Sequence, residues 1–225
     1  MTNHFISNLE YFGKEAFLLN SICHQISYDR KLTLLNGTAL PDAGELLLIS
    51  AYYNISVDRL LKKDLTAVRK DAGKIKLVVF DVDGVLTDGG MYYTESGDEF
   101  KKFNSKDGLA IRRLAKQGIV TGIISHGINR KLIERRAALL GITNVYTGDL
   151  SKAEVLNGWC TELAISPEEI AYIGDDVNDL PAIRLAGFSA CPADAVAEVK
   201  DEVDIILNRK GGEACVREWI DGFLL

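Results

Sequence analysis

Asp81 and Asp83 stand two positions apart, directly after the apolar run Leu77-Val78-Val79-Phe80 and directly before Gly84. Carboxylates so placed can serve as nucleophile and general acid–base, or ligate a hard cation. Other reactive residues lie at matching places later in the chain. Ser125 closes the apolar run 119–124, Asp175 with Asp176 and Asp179 follows the run 170–173, and Lys152 opens a helical stretch at 151–163. Brought together, three or four carboxylates repel one another unless a cation neutralises them, and Mg²⁺ with some of its water retained suits an all-oxygen set. The lysine and the serine hydroxyl supply donors for an anion. Acids, a divalent metal, a lysine and a hydroxyl are what phosphoryl transfer needs. Taken singly, each feature has an ordinary structural role: an Asp-rich turn, a strand-end serine, a solvated lysine. Only the joint pattern carries chemistry.

These residues need a scaffold that gathers them on one edge. From residue 75 onward, short apolar runs alternate with helical patterns. Strands are expected at 75–80, 119–124, 144–146, 170–173, 188–190 and 203–206, and helices at 107–116, 129–140, 151–163 and from about 213. That alternation predicts an α/β fold, a doubly wound, Rossmann-like, mostly parallel sheet. Such sheets bind ligands at the carboxyl ends of their strands. Met91 to Thr94 and Glu99 to Phe103 flank a Gly97-containing turn and read as a β-hairpin insertion.

Residues 1–66 carry no strand signal and read as a small all-α domain. Leu9, Phe12, Ala16, Leu19 and Cys23 form a helical stripe; Ser27 caps a helix that ends at Asn36-Gly37; Pro41-Asp42 opens another with Leu46, Leu47, Ile49 and Tyr53 inward; a short one begins at Ser56. The expected domains are therefore 1–72, helices plus a linker at 66–74, and 73–225.

Of the 225 residues 47% are hydrophobic and 26% charged, as in ordinary globular proteins. The net charge of −6 falls wholly after residue 72, and neither part is basic, which argues against tight nucleic-acid binding. No apolar run approaches the ~18 residues of a membrane span. No signal peptide is evident, and Cys23, Cys160, Cys191 and Cys215 fit no metal spacing, so reduced cysteines, a cytoplasmic location and no membrane partner are expected.

Asp81-Val82-Asp83-Gly84-Val85, Ser125, Lys152 and Gly174-Asp175-Asp176 with Asp179 resemble the four motifs of the haloacid dehalogenase superfamily, over residues 75 to about 220. The longer signature at 81–89, the hairpin, Phe103-Asn104-Ser105-Lys106-Asp107-Gly108 and Gly211-Gly212 with Val216-Arg217-Glu218 resemble its capless branch of sugar-acid phosphatases, which act on octulosonate 8-phosphates and nonulosonate 9-phosphates. The resemblance implies Mg²⁺ held by Asp81, Asp83 and Asp175. It implies Asp81 as nucleophile, Asp83 as acid–base with its main-chain carbonyl on the metal, and Ser125 and Lys152 on the phosphoryl oxygens. Asp107 and Gly108 would bind substrate, and Asp176 and Asp179 would act from behind the ligands. It further implies a phosphorylated 3-deoxy-2-ulosonic acid as substrate, a place in lipopolysaccharide synthesis, and a homotetramer cored by the hairpin. Two departures bear on the substrate: His126-Gly127 where relatives carry Gly-Arg, and Gly211-Gly212-Glu213-Ala214 where they carry Gly-Gly-Arg-Gly.

Residues 26–61 also resemble the second half of a phage-repressor type helix-turn-helix, which would make Tyr28, Asp29, Arg30, Lys31 and Thr33 groove-facing. A packing or oligomerisation module is preferred over this DNA-binding reading. The alternative function is accordingly a DNA-binding regulator with a phosphatase-like sensor domain.

Overall fold

Strand β1 (Leu77–Phe80) is buried along its whole length, so helices must cover both faces of the sheet it belongs to. The computed structural model describes residues 4–19, 25–53, 55–62, 72–127 and 129–225. The chain divides into two compact units, Met1–Lys70 and Asp71–Leu225.

In the second unit a six-stranded sheet has the order β5-β4-β1-β6-β7-β8. The strands are β4 (Val120–Ser125), β5 (Asn144–Thr147), β6 (Ile170–Ile173), β7 (Phe188–Cys191) and β8 (Ile205–Ile206), all pairing in parallel. β1 lies between β4 and β6, with Phe80 opposite both Ile123 and Ile173. The chain builds outward from β1 on one side and then returns to its other side. The strand order reverses there, so the crevice of the sheet opens beside the end of β1.

Helices α8 (Lys152–Leu163), α9 (Leu180–Leu185) and α10 (Ala197–Glu202) supply Leu156, Ile183 and Val199 to a core with Leu77, Val79 and Tyr172. On the other side α6 (Ser105–Lys116) packs against α11 (Cys215–Trp219), and α7 (Arg130–Leu140) packs on α6. Trp219 is fully buried, edge-on to Phe80 at 6.4 Å and tilted on Phe188 at 5.8 Å. Burying each such side chain contributes about 2–3 kcal/mol.

The hairpin pairs β2 (Tyr92–Tyr93) with β3 (Glu99–Phe100) around Gly97 at φ 87. Met91, Tyr92, Tyr93 and Phe100 are exposed. Phe103 is not: it bridges to Thr87 and lies under the Arg136 guanidinium, 5.0 Å away.

The first unit contains α1 (Phe5–Phe12), α2 (Lys14–Leu19), α3 (Tyr28–Leu35), α4 (Ala43–Tyr53) and α5 (Val57–Lys62). The expected single stripe through Leu9 and Phe12 is broken by Gly13, whose φ of 99 ends α1. Cys23 and the linker residues 66–71 lie outside the described residues. Ser27 caps α3 by accepting from the Arg30 amide. In α4 Ile49 is buried, but Leu47 is 64% exposed. Leu46 and Leu47 are neighbours, and successive side chains on a helix diverge too far to face one core. The two basic residues of α3 are engaged. Arg30 makes a bidentate pair with Glu45 at 2.7 and 2.8 Å, and Lys31 is buried over the Phe17 ring. Among the described residues no helix is long and apolar enough to cross a membrane.

Candidate active site

Asp81 continues β1 in extended conformation, and the chain then turns irregularly through Val82–Leu86. Gly84 makes that turn possible, with a φ of +83. A Cβ at this position would stand 2.0 Å from Asp175 Oδ2, so only glycine lets the Asp175 carboxylate come so close. The Gly211-Gly212 segment braces the turn from outside. Gly212 N–H donates to Val85 O at 3.0 Å, and a Cβ on Gly211 would lie 1.9 Å from Gly84 O.

Lys152 is the first residue of α8, whose start is fixed by the Ser151 amide donating to Glu154 at 3.0 Å. Its side chain is fully buried, with Nζ 2.7 Å from Asp81 Oδ1 and 2.6 Å from Asp179 Oδ1. Tyr172 also donates to Asp179 Oδ1, at 2.5 Å, while Asp179 Oδ2 accepts from the amides of Asp175 and Asp176 at 2.9 and 3.1 Å.

This pocket concentrates negative charge. Burial, and then Asp179, push the Asp81 carboxyl up to about 7 against the pull of Lys152. Burial, and then Asp81, push Asp175 up to about 8. Burial opposes the charge on Lys152, but Asp81 and Asp179 outweigh it and hold the ammonium above its ordinary value.

Asp81, Asp175 and Asp179 each offer a carboxylate oxygen, all within 4.8 Å of one another. Asp179 is a poor ligand, because both its oxygens already accept two hydrogen bonds. Asp175 Oδ1 is the opposite case, buried with no hydrogen-bond partner. A buried carboxylate oxygen without a donor, beside a second carboxylate, suits a hard cation. The residues present fit Mg²⁺ between Asp81 and Asp175.

Asp81, Asp83, Ser125, Asp175 and Asp176 line one cavity of about 370 Å³. Lys152 stands behind Asp81 rather than in the cavity wall. Ser125 Oγ accepts from the Gly127 amide at 2.9 Å. Asp107 and Gly108 do not line this cavity. Asp107 is buried near the start of α6, and its Oδ1 accepts the Arg217 amide at 2.7 Å, joining α6 to α11. Burial lifts its carboxyl to about 6, despite Arg136, Arg209 and Arg217 nearby. Gly108 faces Arg136 and Leu140.

Besides His126, already marked in the sequence as a departure bearing on the substrate, the cavity has members that sequence reasoning missed. Tyr93, Glu99 and Lys101 from the hairpin line it. Their spacing is the signal available, since residues two apart on a strand share a face. His126 and Asn178 line it as well. The His126 ring stands 3.1 Å from Leu150 O through Nε2 and 3.3 Å from Asn178 Nδ2 through Nδ1. The tautomer protonated on Nε2, accepting at Nδ1, satisfies both contacts.

Comparison with known proteins places this geometry. The chain matches the haloacid dehalogenase-like hydrolase family over residues 104–187. It is 38% identical over 178 residues to the 3-deoxy-D-manno-octulosonate 8-phosphate phosphatase of Escherichia coli (strain K12), covering 79% of this chain and 89% of the relative. The Moraxella catarrhalis enzyme of that name, solved with magnesium ion, phosphate ion and KDO, has a TM-score of 0.68 at 36% identity, over 71% of this chain and 91% of that one. The Yersinia pestis enzyme of that name gives a TM-score of 0.66 at 39% identity, over 68% and 83%.

Proposed function

We infer that this chain, which belongs to the haloacid dehalogenase-like hydrolase family and is a phosphoric monoester hydrolase, acts on a phosphorylated 3-deoxy-2-ulosonic acid, octulosonate 8-phosphate in the first place. The observation that carries this reading is the Asp81–Lys152 pair at 2.7 Å beside the unpartnered Asp175 Oδ1. The names of relatives covering more than two thirds of the chain support the sugar acid.

In the proposed reaction an Asp81 carboxylate oxygen forms a bond to phosphorus as the sugar O–P bond breaks. Lys152 holds Oδ1, which leaves the other oxygen to react. Asp83 gives its proton to the departing sugar oxygen. It then takes a proton from the water that attacks the aspartyl-phosphate. The Asp81–phosphorus bond breaks in that second step, releasing inorganic phosphate and restoring both carboxyl groups. Ser125 orients a phosphoryl oxygen from the cavity wall, and Lys152, behind Asp81, acts on the phosphoryl group as a nearby positive charge. Asp81, Asp175 and the main-chain carbonyl of Asp83 would hold Mg²⁺, which supplies positive charge against the repulsion between carboxylate and phosphate dianion. The exposed Met91, Tyr92, Tyr93 and Phe100 support a homotetramer assembled through the hairpin. The reading includes a place in lipopolysaccharide synthesis.

The test is phosphate release with Mg²⁺ from octulosonate 8-phosphate and from nonulosonate 9-phosphates, with D81N as control. Turnover of the eight-carbon ester, lost in D81N, is expected. Preference for a nine-carbon ester would move the assignment to the sister substrate. Turnover of neither, by folded protein that binds Mg²⁺, would overturn the reading.

A further inference from the structure

We propose that Asn178, held in place by His126, binds a hydroxyl group of the leaving sugar and is a specificity-determining residue of this site. The inference rests on the functional reading above and deepens it.

His126 and Asn178 both line the cavity and both are exposed, so they stand at its open rim. The His126 ring joins three segments. It belongs to the loop after β4, its Nε2 donates to Leu150 O in the loop before α8 at 3.1 Å, and its Nδ1 accepts from Asn178 Nδ2 in the turn after β6 at 3.3 Å. The backbone that carries the ring is pinned as well, since the Gly127 amide turns back onto Ser125 Oγ at 2.9 Å. A glycine at position 126, as relatives carry, could make neither ring contact. Both ring nitrogens are thus spent on the protein, and the ring keeps no polar atom for a substrate.

Asn178 is the opposite case. A side-chain amide has two N–H groups and an oxygen with two lone pairs. One N–H goes to His126, and among the described residues the Asn178 amide makes no other hydrogen bond. An N–H donor and an acceptor oxygen therefore remain on a side chain whose rotation is stopped. Such a group matches a hydroxyl, which both gives and takes a hydrogen bond. It matches a carboxylate or a phosphoryl group less well, because those only accept. The charged groups of the wall are engaged elsewhere. Asp81, Asp83 and Asp175 serve the chemistry and Mg²⁺ in the reading above, and Lys101 lies 2.5 Å from Asp83 and 2.9 Å from Glu99. A site built to bond a hydroxyl discriminates against an ester that lacks one.

The experiment measures kcat/KM on octulosonate 8-phosphate and on p-nitrophenyl phosphate, which has no hydroxyl on its leaving group, for wild type, N178A, H126A and H126A/N178A, all with Mg²⁺. The ratio of the sugar-ester value to the aryl-ester value is expected to fall about tenfold in N178A, the worth of one hydrogen bond, mostly through KM on the sugar ester. H126A leaves the amide free to turn, so its ratio should fall about threefold, and H126A/N178A should be no worse than N178A alone. Glucitol 6-phosphate, a polyol ester without a carboxylate, should inhibit hydrolysis of the aryl ester about tenfold more weakly in N178A than in wild type. An unchanged ratio in N178A, or unchanged inhibition by glucitol 6-phosphate, would overturn the proposal. A further fall on adding H126A to N178A would overturn the positioning role of His126. Should N178A fail to fold in a thermal melt, H126A, at the other end of the same hydrogen bond, carries the same ester-selective fall at smaller amplitude. Wild type active on the aryl ester and inactive on the sugar ester would overturn the functional reading, and the inhibition by glucitol 6-phosphate then decides this inference by itself.

Discussion

Asp179 gathers four donors, Lys152, Tyr172 and the amides of Asp175 and Asp176, on its two oxygens. An amide has a single acceptor oxygen. In D179N one end of the side chain must therefore turn a donor toward donors, and Lys152 loses half its counter-charge. A loss of about 3 kcal/mol, seen as a lower Tm, is expected. A change of less than about 0.5 kcal/mol would contradict this account of the residue. The raised carboxyls of Asp81 and Asp175 make a second prediction. The folded metal-free protein keeps protons that the unfolded chain releases near pH 4, so its stability falls as pH rises from there through about 7 to 8. Cation binding displaces those protons. The Tm without metal should thus drop by several degrees between pH 5.5 and 8.5, and Mg²⁺ should raise Tm more at the upper pH. An equal Mg²⁺ effect at both would argue against Asp81 and Asp175 as the ligands.

Among the elements, the turn after β1 depends on the Gly211-Gly212 segment that packs against it. G211A forces a Cβ to 1.9 Å from Gly84 O, so backbone must move. We expect a loss of at least about 2 kcal/mol, and a fall in activity together with the Mg²⁺-induced rise in Tm, because the same turn sets Asp81 against Asp175. Wild-type stability and activity in G211A would contradict the bracing role. The strands carrying Asp81, Ser125 and Asp175 were legible because buried parallel strands leave unbroken apolar runs ending in polar residues. Lys101 was legible only by its spacing two residues from Glu99, and in every other respect a lysine in a hairpin looks like a solvated one until the chain is folded. Asp107 shows the converse. Its neighbourhood matches a sugar-acid phosphatase pattern, but in the fold its carboxylate takes the Arg217 amide of α11. The reversal of strand order beside β1, and with it the location of the crevice, is fixed by long-range pairing that no local run encodes.

At the scale of the whole molecule, the chain divides into two compact units, Met1–Lys70 and Asp71–Leu225. The fragment 72–225 contains every cavity-lining residue, and we expect it to fold and to keep Mg²⁺-dependent phosphate release; an unfolded fragment would make the first unit part of the enzyme's fold. With Arg30 held by Glu45 and Lys31 over Phe17, the face of α3 offers little charge to phosphate. No salt-sensitive DNA binding should appear in a mobility-shift assay. In the homotetramer proposed above the hairpin's exposed aromatic patch would form the interface, so Y93K with F100E should lower the mass measured by light scattering relative to wild type, and an unchanged mass would contradict that proposal.

The central claim is that Asp81 carries the phosphoryl group during turnover. Rapid acid quench of the enzyme turning over octulosonate 8-phosphate, followed by mass spectrometry of the peptide containing Asp81, tests it most directly. One added phosphoryl group on Asp81, absent from D81N, is the predicted result. Turnover with no phosphorylated peptide under conditions that trap acyl phosphates, or with the group on another residue, would contradict it.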